Sequence, residues 1–201
     1  PQPQEQIALL EKAEGILGKP KAAASADVLS TADALAMAQK VVSLSEEQAA
    51  CQTEQASLAA ELERLQDWGD LDPGALSSLA EAGIRADLYE LPESVCAELG
   101  DRVKVLRMGT GKSTVKCLLI HSGSEEEAAL LPSLEGYRLA LPAQSTAAMR
   151  QQTAALNGRM QTIAEALTAC GGYLPSLQQA VQSLQKEIEF EVCATGMTDE
   201  R

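Results

Sequence analysis

Several residues in this chain have the types and spacing that could do chemistry, and each implies a different reaction. Met108-Gly109-Thr110-Gly111-Lys112-Ser113-Thr114 is spaced like the end of a phosphate-binding loop. Such a loop needs a glycine five positions before the second one, so that successive backbone N–H groups curl around the phosphates. That position holds Leu106. The loop must also feed a helix whose N-terminal dipole faces the anion, whereas Val115, Cys117 and Leu119 alternate as a strand does. The segment reads as a hairpin turn, with Gly109-Thr110-Gly111 as its tight bend.

His121 is the only histidine, and Cys117 precedes it by four positions on the same strand face. A zinc site wants three or four protein ligands, and no second Cys/His cluster is present in the sequence. A Cys117–His121 dyad has no evident orienting group, so no nucleophilic set is expected. Asp67, Asp70 and Asp72 surround Trp68, and paired carboxylates can do acid/base work. A helix exit followed by an Asp-Pro helix start explains all three, with Asp72 as a cap. Glu125, Glu126 and Glu127 suit the first turn of a helix capped by Ser124. No catalytic residue, cofactor site or metal site is expected. Trp68 reads as a packing wedge where a long helix meets a lobe, or as a partner anchor in the manner of interface tryptophans.

The elements that must position these residues follow from composition. The chain has 201 residues, 29 acidic and 16 basic, for a formal charge of −13, and only 2% aromatics. One Trp, one Phe and three Tyr cannot fill a large aromatic core, and the excess of Ala, Leu, Gln and Glu is that of long helices packed side by side. The acidic balance opposes nucleic-acid binding. No apolar run approaches the ~20 residues of a membrane span, and the polar start, Pro1–Gln6, is unlike a secretory signal. Five scattered cysteines, Cys51, Cys96, Cys117, Cys170 and Cys193, then read as reduced, mostly buried thiols. A start on Pro1 rather than Met suggests a piece of a longer protein.

Three zones are expected. In residues 1–66, Ile7, Leu10, Glu14 and Leu17 mark a short helix stopped by Gly18-Lys19-Pro20, and an Ala/Ser linker, Lys21–Asp27, follows. Ser30 and Asp33 then open a long helix. Val41, Leu44, Gln48, Cys51, Gln55, Leu58, Leu62 and Leu65 alternate spacings of three and four, the a/d seam of a coiled coil. Residues 142–201 repeat the seam with Met149, Thr153, Leu156, Met160, Ile163, Leu167, Cys170, Leu174, Leu177, Val181, Leu184 and Ile188. Pro175, with Gly171 and Gly172, predicts a kink near 171–175. Gln48, Gln55 and this kink are expected to permit limited bending, and alanine at 171, 172 and 175 to straighten and stabilise the arm.

Residues 67–141 change character. Helix Gly74–Ala82, strand Ile84–Leu91, helix Pro92–Leu99, strand Arg102–Arg107, strand Thr114–His121, helix Ser124–Leu131 and strand Tyr137–Leu141 make a small lobe with a mainly antiparallel sheet. The expected fold class is α+β: a long antiparallel helical hairpin carrying this α/β lobe at its tip.

The run Leu65-Gln66-Asp67-Trp68-Gly69-Asp70-Leu71-Asp72-Pro73 after a long helix is then informative. With Leu79-Ala80-Glu81-Ala82-Gly83-Ile84, Leu88-Tyr89-Glu90 and the returning Lys186-Glu187-Ile188-Glu189-Phe190-Glu191, it is similar to the soluble N-terminal half of subunit I, or subunit a, of V-type/A-type rotary ATPases. The resemblance implies a non-catalytic stator component on the cytoplasmic side of a proton-translocating complex. It implies docking to peripheral stalk subunits E and G, and to membrane-sector subunits through the rest of a full-length chain. Residues 67–141 match that family's distal lobe, and the flanking helices its connecting arm. The chain departs in having no strand before its first helix and nothing after Arg201, so the proximal lobe and the proton path are expected to be missing. Trp68, Asp70 and Tyr89 are the candidate lobe-junction or partner-contact residues. The alternative is a coiled-coil scaffold or tether unrelated to rotary ATPases.

Overall fold

The structure, a computed structural model, describes residues 2–18 and 27–198. The expected linker lies outside the described residues except for Asp27. The elements in order are α1 (Pro3–Leu17), α2 (Thr31–Leu65), α3 (Pro73–Glu81), β1 (Arg85–Pro92), α4 (Glu93–Leu99), β2 (Lys104–Thr110), β3 (Thr114–His121), α5 (Glu125–Leu130), β4 (Arg138–Leu139), α6 (Thr146–Cys170) and α7 (Leu174–Thr198). The class is α+β: long helices and one small antiparallel sheet. Two compact units form, one from residues 1–54 and 155–201, the other from residues 55–154.

In the first unit, four helices share one apolar cluster. α1 contributes Leu10, Ala13 and Leu17; α2 contributes Ala34, Ala38, Val41 and Val42. Ile163, Leu167 and Cys170 of α6 and Leu177, Ala180, Val181 and Leu184 of α7 complete it. Small residues let helix axes approach closely, and α1 does lie close along α7. The paired-helix arm expected from the seams is therefore only part of this packing, because α1 buries its own stripe as well. A fully buried leucine such as Leu177 contributes about 2–3 kcal/mol of transfer free energy.

The expected kink is a single 3-10 turn, Gly171–Tyr173, between α6 and α7. Pro175 has no N–H to give the carbonyl four residues back. The turn tightens so that the Leu174 N–H donates to that carbonyl, of Gly171, instead. The backbone stays helical at Cys170 and at Leu174.

In the second unit the sheet order is β2-β3-β1-β4, antiparallel throughout. Tyr89 and Leu91 of β1 and Val115, Cys117 and Leu119 of β3 pack with Cys96 and Leu99 of α4, Val103 and Leu134. α3 starts at Asp72, whose carboxylate accepts from the Gly74 N–H at 2.9 Å. It ends where Gly83 takes φ +88°, with Ile84 N–H donating to the Leu79 carbonyl at 2.9 Å and Gly83 N–H to the Ala80 carbonyl at 3.0 Å. That reciprocal closure of a helix end needs a left-handed residue, hence glycine.

Three expectations change in detail. Gly109 and Thr110 belong to β2, and the bend falls on Gly111–Ser113, closed by the Gly111 N–H to the Thr114 carbonyl at 3.0 Å. A bulge between Arg107 and Gly109 lengthens β2 by shifting its register. The last strand shrinks from Tyr137–Leu141 to Arg138–Leu139 because Leu131–Tyr137 is a 3-10 helix. The unit containing the sheet also reaches beyond 67–141. Arg64 Nη1 donates to the Ala140 carbonyl at 2.9 Å, Thr146 N–H to the Leu71 carbonyl at 3.0 Å, and Arg150 pairs with Asp70 at 2.8 Å. These bonds fasten the end of α2 and the start of α6 to it.

Candidate functional site

The residues with chemical potential are nearly all in the second unit, and the structure disperses them. After Leu65 the chain tightens into the 3-10 turn Gln66–Trp68, which sets Trp68 against β3. The indole is 3% exposed and its Nε1 donates to the Cys117 carbonyl at 3.0 Å. The Lys116 ammonium stands 5.8 Å from the ring centroid and reaches Asp67 at 2.6 Å. The Asp67 hydrogen bond comes first among the causes that hold the Lys116 ammonium above its ordinary range. Gly109 is the strand position that tolerates this corner, since a Cβ there would come within 3.0 Å of the Asp67 Cβ.

The three aspartates around Trp68 therefore do three separate jobs: Asp67 on Lys116, Asp70 on Arg150, Asp72 on the start of α3. None is paired with another for acid/base work. Of the three residues expected at the lobe junction or a partner contact, Trp68 and Tyr89, 3% and 2% exposed, are interior residues. Of those three candidates Asp70 alone is exposed.

His121 has the orienting group that the sequence did not reveal, since its Nε2 lies 3.0 Å from Asp87 Oδ2. Asp87 stands on β1, two register positions from the residue paired with His121, and only the tertiary pairing places it there. This does not make a nucleophilic set with Cys117. Cys117 and His121 are four strand positions apart, roughly 13 Å at ~3.3 Å per residue. The Cys117 thiol is fully buried, and burial pushes its pKa up to about 11, the opposite of an activated thiolate. Among the described residues no group of three His, Cys, Asp or Glu side chains is arranged to hold a metal.

The Gly111-Lys112-Ser113 segment is the β2–β3 bend, with Ser113 at φ +59° and a strand after it. No helix N-terminus faces it, so the anion-binding geometry is not assembled. Glu127, expected to answer a helix dipole, does more. Its carboxylate accepts from the backbone N–H groups of Ser122, Gly123 and Ser124 at 2.9, 3.1 and 3.3 Å, while Ser124 Oγ accepts from the Glu127 N–H. Those bonds, the Ser122 one first, hold its carboxyl below the usual range. The Ser-x-x-Glu spacing is the readable signal of such a box.

The seam residues lie as follows. In the first unit Val41, Ile163, Leu167, Leu177 and Leu184 are buried, and Leu44 and Leu156 are half-buried against the same cluster. In the second unit Leu58 and Leu65 are buried and Leu62 is half-buried. The seam spacing did not disclose the cross-helix clamp: Arg159 Nε and Nη2 of α6 donate to the two carboxylate oxygens of Glu47 of α2 at 2.6 and 2.7 Å.

These features define a helical scaffold with a small antiparallel sheet. No family model matches the chain. A stretch of 138 residues, 68% of the chain, is 30% identical to V-type ATP synthase subunit I 1 of Treponema pallidum (strain Nichols), and it spans 22% of that relative. A crystal structure of the cytoplasmic N-terminal domain of subunit I, homolog of subunit a, of V-ATPase aligns with 91% of this chain and 70% of its own, at TM-score 0.49 and 15% identity. The resemblance to subunit I drawn from the residues around Trp68 is borne out by the sequence relative.

Proposed function

We propose that this chain is a stator segment of a V-type/A-type proton-translocating rotary ATPase, part of its subunit I, linking peripheral stalk subunits E and G to the membrane sector on the cytoplasmic side. One observation carries the reading: the 30% identity to a V-type ATP synthase subunit I over 138 residues. The chain spans 22% of that relative. Among the described residues no helix is long and apolar enough to cross a membrane.

The mechanics support the role. A stator resists torque, and a helix braced along its length by neighbours bends less than one alone. The apolar cluster of α1, α2, α6 and α7, with Leu44 and Leu156 at its margin, supplies that brace. The Glu47–Arg159 fork resists sliding of α2 past α6, since a bidentate pair has one geometry. In this proposal the helices within residues 1–66 and 142–201 form the arm, residues 67–141 form the lobe, and Asp70 lies on the lobe's exposed surface.

The test is titration of purified E/G heterodimer into the whole chain, followed by calorimetry. Saturable binding that weakens as salt rises is expected, and its absence overturns the proposal. A scaffold unrelated to rotary ATPases would give no such binding.

A further inference from the structure

From Arg102 to Ser124 the sequence contains no acidic residue, although the whole chain has 29. The same stretch includes Arg102, Lys104, Arg107, Lys112 and Lys116. Folding turns this stretch into β2, the bend and β3, and places β2 at the outer edge of the sheet. Lys116 is taken by Asp67, and Arg102 gives its Nη2 to the Glu98 carbonyl at 2.7 Å. Lys104, Arg107 and Lys112 are exposed and, among the described residues, have no ion-pair partner.

The edge itself is unpaired. β2 bonds to β3 on one side only, and no turn or loop among the described residues hydrogen-bonds to the backbone of residues 104–110 from the other. A leucine row also stops there. Leu139, Leu88, Leu118 and Leu106 are successive register partners across β4, β1, β3 and β2. Exposure along that row goes from 0% at Leu88 to 44% at Leu106. An edge strand with open backbone groups is a template for an added strand. Lysines and a bulge such as that at Arg107–Gly109 guard it against most strands, and by charge an acidic strand is the one they favour.

We propose that β2 is a docking edge for an acidic, extended segment of a partner protein, which adds as a fifth strand. Its backbone completes the free side of β2, an apolar side chain extends the row beside Leu106, and its carboxylates meet Lys104, Arg107 and Lys112. The site stands apart from the stalk assignment: E and G can bind this chain elsewhere, and this edge can be occupied by another protein.

The probe is a blocked ten-residue peptide of repeating Glu-Glu-Val-Val, which puts both a carboxylate and an apolar side chain on each face of an extended strand. It is titrated into the whole chain by NMR with amide shifts followed along β2. Expected are saturable shifts confined to β2 and the bend, at least ten-fold weaker binding when salt is raised to molar levels, and at least ten-fold weakening in Lys104→Glu/Arg107→Glu. The same peptide with alternate backbone nitrogens methylated keeps its charge but cannot complete a ladder, and it should bind at least ten-fold more weakly. Equal binding of the methylated peptide overturns strand addition. Equal binding by the Lys104→Glu/Arg107→Glu protein, or no binding of the unmodified peptide, overturns the docking edge altogether, whatever E/G does.

Discussion

The Nε1 of Trp68 donates to the main-chain carbonyl of Cys117 at 3.0 Å, so the exit of the long helix α2 is pinned to a core strand through a single indole. Phenylalanine at 68 keeps most of the ring and loses the bond. Trp68→Phe should cost about 1–2 kcal/mol, the value of a buried hydrogen bond with its acceptor left behind. Trp68→Ala should cost about 3–5 kcal/mol through the cavity. Urea denaturation followed by circular dichroism checks both, because these variants lose the only tryptophan. Equal stability of wild type and Trp68→Phe would remove the pin.

Glu14 sets the opposite sign. It sits on the packed side of α1 with one carboxylate oxygen buried and, among the described residues, lacking a hydrogen-bond partner. Burial first, and Glu11 second, raise its pKa. A carboxyl raised above its unfolded value disfavours folding where it is ionised, and the penalty vanishes as pH falls below the ordinary glutamate range. Glu14→Gln should therefore melt higher than wild type at neutral pH and equally in acid. A constant difference across pH would show that charge is not the cause.

Glu127 works the other way. Its pKa is lowered by the three N–H groups it accepts from, so its contribution is full above the ordinary carboxylate range and lost as pH falls through its own lowered value. Glu127→Ala should speed amide exchange at Ser122, Gly123 and Ser124, and the wild type should approach the same rates only in strong acid. Unchanged protection in the variant would argue that the box is not formed in solution.

The thiols divide by burial. Cys193 is exposed, whereas Cys51, Cys96, Cys117 and Cys170 are buried. Burial raises the pKa of Cys170, and that of Cys117 to about 11. A chromogenic disulfide reagent should label one thiol quickly in the native chain and all five after denaturation. Two fast thiols would mean that one of the buried set is reachable.

At Pro175 the sequence alone suggests a large gain from alanine, up to ~3 kcal/mol for a proline inside a helix. The structure argues for less, because Leu174 N–H already serves the Gly171 carbonyl. Pro175→Ala should change stability by under ~1 kcal/mol, part of any gain being offset by a freer unfolded chain. A change near 3 kcal/mol would show that the 3-10 turn does not relieve the break.

Much of the architecture is legible because it is local. Ser30, Asp72 and Ser124 mark helix starts, Gly83 a helix stop, and alternating Val115, Cys117 and Leu119 a strand, each through bonds or periodicities spanning a few residues. Other features escape such reading. The seam of α2 gives no hint that α1 shares its cluster, since Leu10 and Val41 are brought together by chain reversal rather than by spacing.

The sequence by itself determined the helix starts at Ser30, Asp72 and Ser124, the strand alternation of Val115, Cys117 and Leu119, and the junction run around Trp68 that resembles subunit I. Only the tertiary structure decided which charges are used. Asp67 finds Lys116, Asp87 finds His121, and Glu47 finds Arg159 across 49, 34 and 112 residues of chain, while Lys104, Arg107 and Lys112 have no ion-pair partner among the described residues. Ion pairs depend on distance in space, and a distance set by strand register and helix packing is not encoded in any short stretch of the chain.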